Sequence, residues 1–493
     1  MRIGFDNDTY ITLQAERIRD RISQFGGKLY LEFGGKLFDD YHAARVLPGF
    51  EPDSKIRMLQ SMTDEVEIVI AINANDIEKS KRRGDLGITY DEELLRLMDA
   101  FKGLGFLVGS VVVTQYAGQP SADAFCKRLD GLGVKWYRHY PIAGYPYDID
   151  RIVCDEGYGK NDYIETTRPL VVVTAPGPGS GKMATCLSQL YYEHKRGVAA
   201  GYAKYETFPV WNLPLKHPVN IAYEAATVDL NDANIIDPFH LEAYGEATVN
   251  YNRDVEIFPV LKAMMERIQG ESPYQSPTDM GVNMAGYAVV DDEACRDAGK
   301  AEIVRRYFQA CENLKRTGVG DDEIQTLELL MKQAGVDASY FPARAAALAK
   351  EEQTGAPAGA MVLPDGSLVT GRTSDLLGAA SSLLINALKR MAGVDDEVYV
   401  IGNEALQPIC HLKTEHLLSK NPRLHSNEML IALSISSATD PLAARVIEAA
   451  STLRGCDAFF SVIISAADEK LYRTLGINVC CEPKFERRGY YHR

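Results

Sequence analysis

No C-x-x-C pair occurs in the 493 residues, and the nine cysteines are scattered and odd in number. That argues against a disulfide framework and a cysteine-held zinc knot, and it reads most of the cysteines as buried reduced thiols. Long apolar runs are also missing. The longest near the C-terminus, AFFSVIISAA at 458–467, is far too short to span a bilayer, and MRIGFDNDTY has no apolar core flanked by basic residues. A cytoplasmic protein with no membrane partner is the expectation. Positive charge is in deficit, 53 Lys and Arg against 68 Asp and Glu, for a net charge of −15. Nonspecific attraction to nucleic acid is disfavoured, and no nucleic-acid partner is expected. Internal repeats and low-complexity tracts are absent as well.

What is present is a set of short runs rich in Val, Ile and Tyr, alternating with amphipathic stretches through the first 230 residues. This is the pattern of strands joined by helical crossovers in a largely parallel sheet, an α/β chain of several domains. The spacing predicts strands at 28–33, 66–72, 109–116, 134–140, 170–175, 201–206 and 219–225, with a helix at 90–105. Loops rich in Pro, Asn and Asp then give way to helical segments, AEIVRRYFQACENLKR and DDEIQTLELLMKQAG. After the polar, Gly/Pro-rich EEQTGAPAG (351–359) come two strands around a Pro-Asp-Gly-Ser turn, a long helix, and strands at 397–402 and 459–465. Three domains are expected: 1–225, Rossmann-like or P-loop-like; 226–355, partly helical; and 356–493, a compact α/β unit.

The stretch TAPGPGSGKMAT (174–185) leaves a buried-type strand, LVVVT, and opens a helix. In that setting successive backbone N–H groups and a helix N-terminus converge on an anion, with Gly177, Gly179 and Gly181 allowing close approach and Lys182 adding a charge. Against the phosphate-loop pattern G-x-x-x-x-G-K-[ST], Gly181 and Lys182 match, while Pro176 and Met183 occupy the first-glycine and hydroxyl positions. Ser180 or Thr185 is left to supply a hydroxyl. Against G-x-G-x-x-G the third glycine comes one residue early, and Glu206, with Lys204 two residues before it, stands near the end of the next strand.

A phosphate gripped by Lys182 calls for a nearby acid, to serve a metal or act as base, and 219–234 offers Glu224, Asp229 and Asp232. A second Gly-rich turn, Gly34, Gly35 and Lys36, leaves the first strand ahead of Asp39, Asp40, His42 and Arg45. The run KSKRRGD (79–85) can add a basic wall around a phosphate, or stand as a solvated loop.

The order of segments, LVVVT with GPGSGKMATCLSQLYYE, then AAGYAKYETFPVWNLPL, DPFHLEAYG, VNYNRD and GAMVLPDGSLVTGRTSDLLGAAS, resembles a bacterial family known only as a domain of unknown function. Some of its members carry the label ATP-dependent zinc protease. The resemblance implies a Rossmann-like first part, a helical middle and a C-terminal subdomain similar to the cytidine deaminase fold. The residues do not supply the chemistry of either label. No H-E-x-x-H or H-x-x-E-H occurs, and HLKTEH (411–416) has the wrong spacing. Gly378, Ala379, Ala380 and Ser381 stand where a deaminase carries H-x-E, and NEALQPICHLK has one cysteine where P-C-x-x-C is needed. No zinc is expected. The expected function is an enzyme binding a phosphorylated small molecule, with ATP and magnesium as cofactor and phosphoryl transfer or ligation as reaction. The alternatives are an NAD(P)-dependent oxidoreductase on the same loop, and a non-catalytic binding protein. A homo-oligomer is the expected assembly.

Overall fold

Along the strand Leu29–Phe33 (β1), Leu29, Leu31 and Phe33 enter one apolar core while Tyr30 enters another. The strand at Leu170–Thr174 divides Leu170 and Val172 from Val171 and Val173 in the same way. Side chains alternate across a strand, so consecutive apolar residues mark a strand buried on both faces, as parallel sheets require. The computed structural model describes residues 2–35, 37–83, 87–230 and 232–486. After β1 come Val66–Asn73 (β2), Leu107–Thr114 (β3), Trp136–Arg138 (β4), Leu170–Thr174 (β5) and Gly201–Tyr205 (β6). Asn234–Ile236 (β7) and Val249–Tyr251 (β8) pair antiparallel, and Gly281–Val282 (β9) completes the large sheet. Seven strands lie in the order β4-β3-β2-β5-β1-β6-β9, every neighbouring pair parallel.

Packing divides the chain into two units. One comprises Ile3–Glu224 and Leu230–Arg296, the other Asp297–Arg493 with Met1–Arg2 and Ala225–Asp229. In the larger unit, helices Asn7–Gln24, Ser54–Gln60, Tyr90–Gly103 and Pro120–Gly131 cover one face of the sheet. Helices Lys182–Lys195 and Asn252–Gln269 cover the other. No helix among the described residues is long and apolar enough to cross a membrane.

The smaller unit holds a mixed sheet. Ala358–Val362 (β10) and Leu368–Arg372 (β11) form the expected hairpin, Asp457–Phe460 (β12) runs antiparallel to β10, and Asn478–Cys481 (β13) parallel to β12. At the turn, Asp365 Oδ1 accepts from Ser367 N at 2.9 Å and Gly366 takes φ 81°. Helix Ala379–Met391 crosses this sheet so closely that a Cβ on Gly371 would meet Leu383 N at 2.2 Å.

Three expected strands are corrected. Residues 219–225 are helical, within Pro218–Ala226: the proline opens the helix where no N–H is needed, and 219–222 are buried consecutively, without alternation. Residues 397–402 form no strand, because Tyr399 is 95 % exposed while Val400 is buried, and Gly402 caps the helix Asn403–His411 instead of pairing. The run at 459–465 is strand only as far as Phe460, after which Ser461 turns its Oγ to accept from Ala358 N at 3.0 Å.

Two outcomes follow from this packing. Gly371→Ala forces a Cβ into the backbone of helix 379–391 and lowers stability by about 1–3 kcal/mol, read as a lower denaturant midpoint. His139 is buried, donates Nε2–H to Asp162 O at 3.2 Å, and is pushed by burial from 6.5 down to about 4. The unfolded chain binds the proton that the folded chain refuses, so stability falls as pH drops from 6.5 towards 4. The loss is on the order of 3 kcal/mol. His139→Gln flattens that part of the stability profile.

Candidate functional site

β1 and β5 are neighbours, yet their chains leave for opposite faces: helix 54–60, beyond β1, packs on one core and helix 182–195, after β5, on the other. A crevice opens at the carboxyl ends of strands where crossovers diverge in this way, and such crevices are where open parallel sheets bind ligands. Here it is a cavity of about 620 Å³, within the range of small-molecule sites.

Residues Thr174–Pro178 and Lys182 form one wall of it, and Phe33, Gly35, Leu37, Phe38 and Asp39, from the end of β1 and the turn after it, another. Gly34 precedes that wall, and Lys36 lies outside the described residues. Tyr90 and Leu97 of helix 90–103, with Tyr223, extend the apolar part.

The glycine turn is anchored from below by polar residues at the ends of two other strands. Asn73 Nδ2 donates to Gly179 O at 3.1 Å, and Thr114 Oγ1 to Ser180 O at 2.7 Å. Gly181 takes φ 86° as the N-cap of helix 182–195, and its missing Cβ leaves room for Thr114, 3.1 Å from where that atom would stand. Carbonyls of the turn are thus occupied by protein, while no side chain caps the helix start. That leaves the first N–H groups of a 14-residue helix, and the positive end of its dipole, to an incoming anion. Ser180 Oγ donates to Gly177 O at 3.0 Å and Thr185 Oγ1 to Gly181 O at 2.9 Å, so both hydroxyls brace the turn.

Cations dominate the cavity's polar side: Lys182, Arg83, Arg96 and Arg253 against Asp39. The arginines are aimed by buried acids. Glu93, 0 % exposed, accepts from Arg96 Nε at 2.7 Å and also pairs with Arg83. Asp232 accepts from Arg253 Nη2 at 2.7 Å, and burial raises its carboxyl against the pull of that guanidinium. Lys182 has no ion-pair partner among the described residues.

The residues singled out by sequence divide accordingly. Gly177, Gly35 and Lys182 line the cavity; Gly179, Ser180, Gly181 and Thr185 shape its turn; Asp232 is not among the lining residues and pairs with Arg253, which is. Buried Glu206 pairs with half-buried Lys204 at 2.9 Å, Asp254 is also paired to Lys204, and neither Lys204 nor Glu206 is among the cavity's walls. Burial pushes the Glu206 carboxyl up against the pull of Lys204, with Asp254 adding to the rise. Burial opposes the Lys204 charge, but Asp254 and Glu206 overcome it and hold the ammonium above its ordinary range. Asp229 is exposed on the turn Val228–Leu230 and belongs to the other packing unit. Asp40 caps the helix Tyr41–Val46 and pairs with Lys55 at 2.6 Å. Among the described residues no group of three or more His, Cys, Asp or Glu is placed to hold a metal ion.

Sequence reasoning missed Asn73, Thr114, Arg96 and Arg253. The first two carry a readable signal, a polar residue ending an apolar parallel strand. Arg96 reads as an ordinary i,i+3 surface partner of Glu93, and Arg253 as part of a polar loop.

Residues 3–335 match the family described as domain of unknown function DUF1846, N-terminal, and residues 339–491 match its C-terminal counterpart. The UPF0371 protein DIP2346 of Corynebacterium diphtheriae is 58 % identical over 492 residues, covering 100 % of this chain and 99 % of its own. A UPF0371 protein of Streptococcus pneumoniae serotype 19F is 56 % identical over 490 residues, covering 99 % of each chain. The chain therefore belongs to the uncharacterised bacterial family of DUF1846, or UPF0371, proteins.

Proposed function

We propose that this protein binds a phosphorylated small molecule of the nucleotide class in the cavity at the carboxyl ends of β1 and β5. The observation that carries this reading is the uncapped start of helix 182–195, with Lys182, in a 620 Å³ cavity whose other cations are Arg83, Arg96 and Arg253. Phosphate oxygens take the helix amides and the lysine, as anions do at helix N-termini. The arginine side then holds the remaining phosphates by paired N–H donation. Phe33, Phe38, Leu97 and Tyr223 offer the apolar, partly aromatic surface that a base or similar flat group needs. The large sheet is read as a P-loop-like relative of the doubly wound folds, with its glycine turn at the switch point. The smaller unit is read as a deaminase-like scaffold without zinc ligands, since Gly378–Ser381 stand at the start of its central helix.

ATP-dependent phosphoryl transfer or ligation is the reaction class the site supports best. Asp39 is the carboxylate on the cavity wall, placed to take a proton from an accepting group or to bind a divalent ion that arrives with the phosphates. One carboxylate makes no cage for a resident ion, and magnesium bound by substrate phosphates needs none. The dinucleotide reading draws less support, because Lys204 and Glu206, which would select the ribose, are bonded to each other.

Calorimetric titration with ATP, GTP, NAD and NADP, with and without magnesium, tests the proposal. One of the nucleoside triphosphates is expected to bind, and Lys182→Ala to weaken it by about 10- to 100-fold, the worth of a charge-assisted hydrogen bond. Saturating ligand, at 100 times Kd, should add about 2.7 kcal/mol to the wild-type stability. Absence of binding, or full affinity in Lys182→Ala, contradicts the reading; magnesium-independent binding of NAD or NADP replaces it with the oxidoreductase.

A further inference from the structure

The smaller unit contains a separate cavity of about 320 Å³ at the start of helix 379–391, with Gly378, Ala379 and Ala380 in its wall. No side chain caps this 13-residue helix, so its first backbone N–H groups and positive dipole end meet the cavity. The two other helices that begin here are closed by their own chains. Ser465 accepts from Asp468 N at the start of 466–474, and at the start of 426–437 Glu428 Oε2 accepts from His425 N at 2.7 Å while Asn427 Oδ1 accepts from Glu428 N at 2.9 Å.

Arg316, Arg423 and His425 line the same cavity, against the carboxylates of Asp468 and Glu486. Both arginines are held in place from behind. Arg423 Nε donates to Ser374 O at 2.8 Å, while Arg316 donates through Nη2 to Ile464 O at 3.1 Å and through Nε to Glu312 at 2.8 Å. Ordered guanidinium groups of this kind surrender little freedom when an anion arrives.

His425 Nδ1 lies 3.1 Å from Asp468 Oδ2. Asp468 also accepts from Ser426 N and from Ser465 Oγ, both at 2.7 Å. Burial works to raise this carboxyl, but the bonds from His425, Ser426 and Ser465 outweigh it and hold Asp468 near 2. An ionised Asp468 can only accept, so Nδ1 carries the proton and Nε2 is the ring nitrogen left for another partner. The bond to Asp468 raises the imidazole above its ordinary value against burial, with Lys413 opposing and Glu428 assisting.

We propose that this cavity binds the oxyanion group, phosphate or carboxylate, of a small molecule, held by Arg316, Arg423, the imidazolium of His425 and the first amides of helix 379–391. Val462, Ile463 and Phe485 border the space left for the ligand's carbon portion. The inference does not depend on the nucleotide reading of the larger unit.

The test follows the His425 ring by NMR in the full chain labelled at its nine histidines, with His425→Gln assigning the signal. Inorganic phosphate and acetate are titrated separately, which distinguishes the two oxyanions. Expected is a saturable shift of the His425 resonances and a rise in its titration midpoint with at least one of them. Arg423→Gln should weaken that response about tenfold or more, and Arg316→Gln, at a more exposed position, should do the same if the first variant does not fold. A ring that neither anion moves, or a response that keeps full affinity in folded Arg423→Gln or Arg316→Gln, overturns the proposal.

Discussion

Two adjacent parallel strands, β1 and β5, send their chains to opposite faces of one sheet, and the account of the larger unit depends on that divergence. With both faces covered by helices, the edge where strands end is the place left for a ligand. The divergence separates helix 54–60 from helix 182–195 and leaves the cavity between the loops that leave the two strands. The glycine turn has meaning only in that position. On its own it is a short left-handed link into a helix; between β5 and helix 182–195 it presents uncapped amides and Lys182 at the cavity.

Charge is layered around this cavity. Acids lie behind, buried, and arginines stand in front: Glu93 behind Arg83 and Arg96, Asp232 behind Arg253. Buried carboxylates are costly unless paired, and pairing fixes the guanidinium planes before any ligand arrives. A chain of net charge −15 can therefore build a locally positive site. The acids that orient the arginines contribute to the global excess while the cations face the cavity. The second cavity has a related arrangement, with Asp468 behind His425.

Much of this was legible in the sequence, and the parts that were not have definable reasons. Strands buried on both faces announce themselves as mostly apolar runs, so β1, β2, β3, β5 and β6 were readable even though Glu32, Glu67, Ser110 and Lys204 interrupt four of them. The same property misleads at 219–225, where four consecutive buried residues belong to a helix in the interior rather than a strand. At 397–402 the composition suits a strand, but no sheet edge receives it and Tyr399 faces solvent. The glycine turn, Lys182 and the β1 turn were readable because their chemistry is contiguous. Arg96, Arg253, Asn73 and Thr114 reach the site from separate elements, and strand order, which no local pattern encodes, brings them together. Lys204 and Glu206 show the opposite case: they satisfy a spacing rule, yet their burial turns them towards each other and Asp254.

The central claim is positional, that phosphate belongs at the start of helix 182–195. A crystal structure of the protein grown with a non-hydrolysable ATP analogue and magnesium tests it most directly. Phosphate density within hydrogen-bond reach of the backbone amides at 181–183 and of Lys182 Nζ, with the base against the apolar wall, is the predicted result. Well-ordered analogue bound elsewhere, or a cavity without analogue at a saturating concentration, would contradict it.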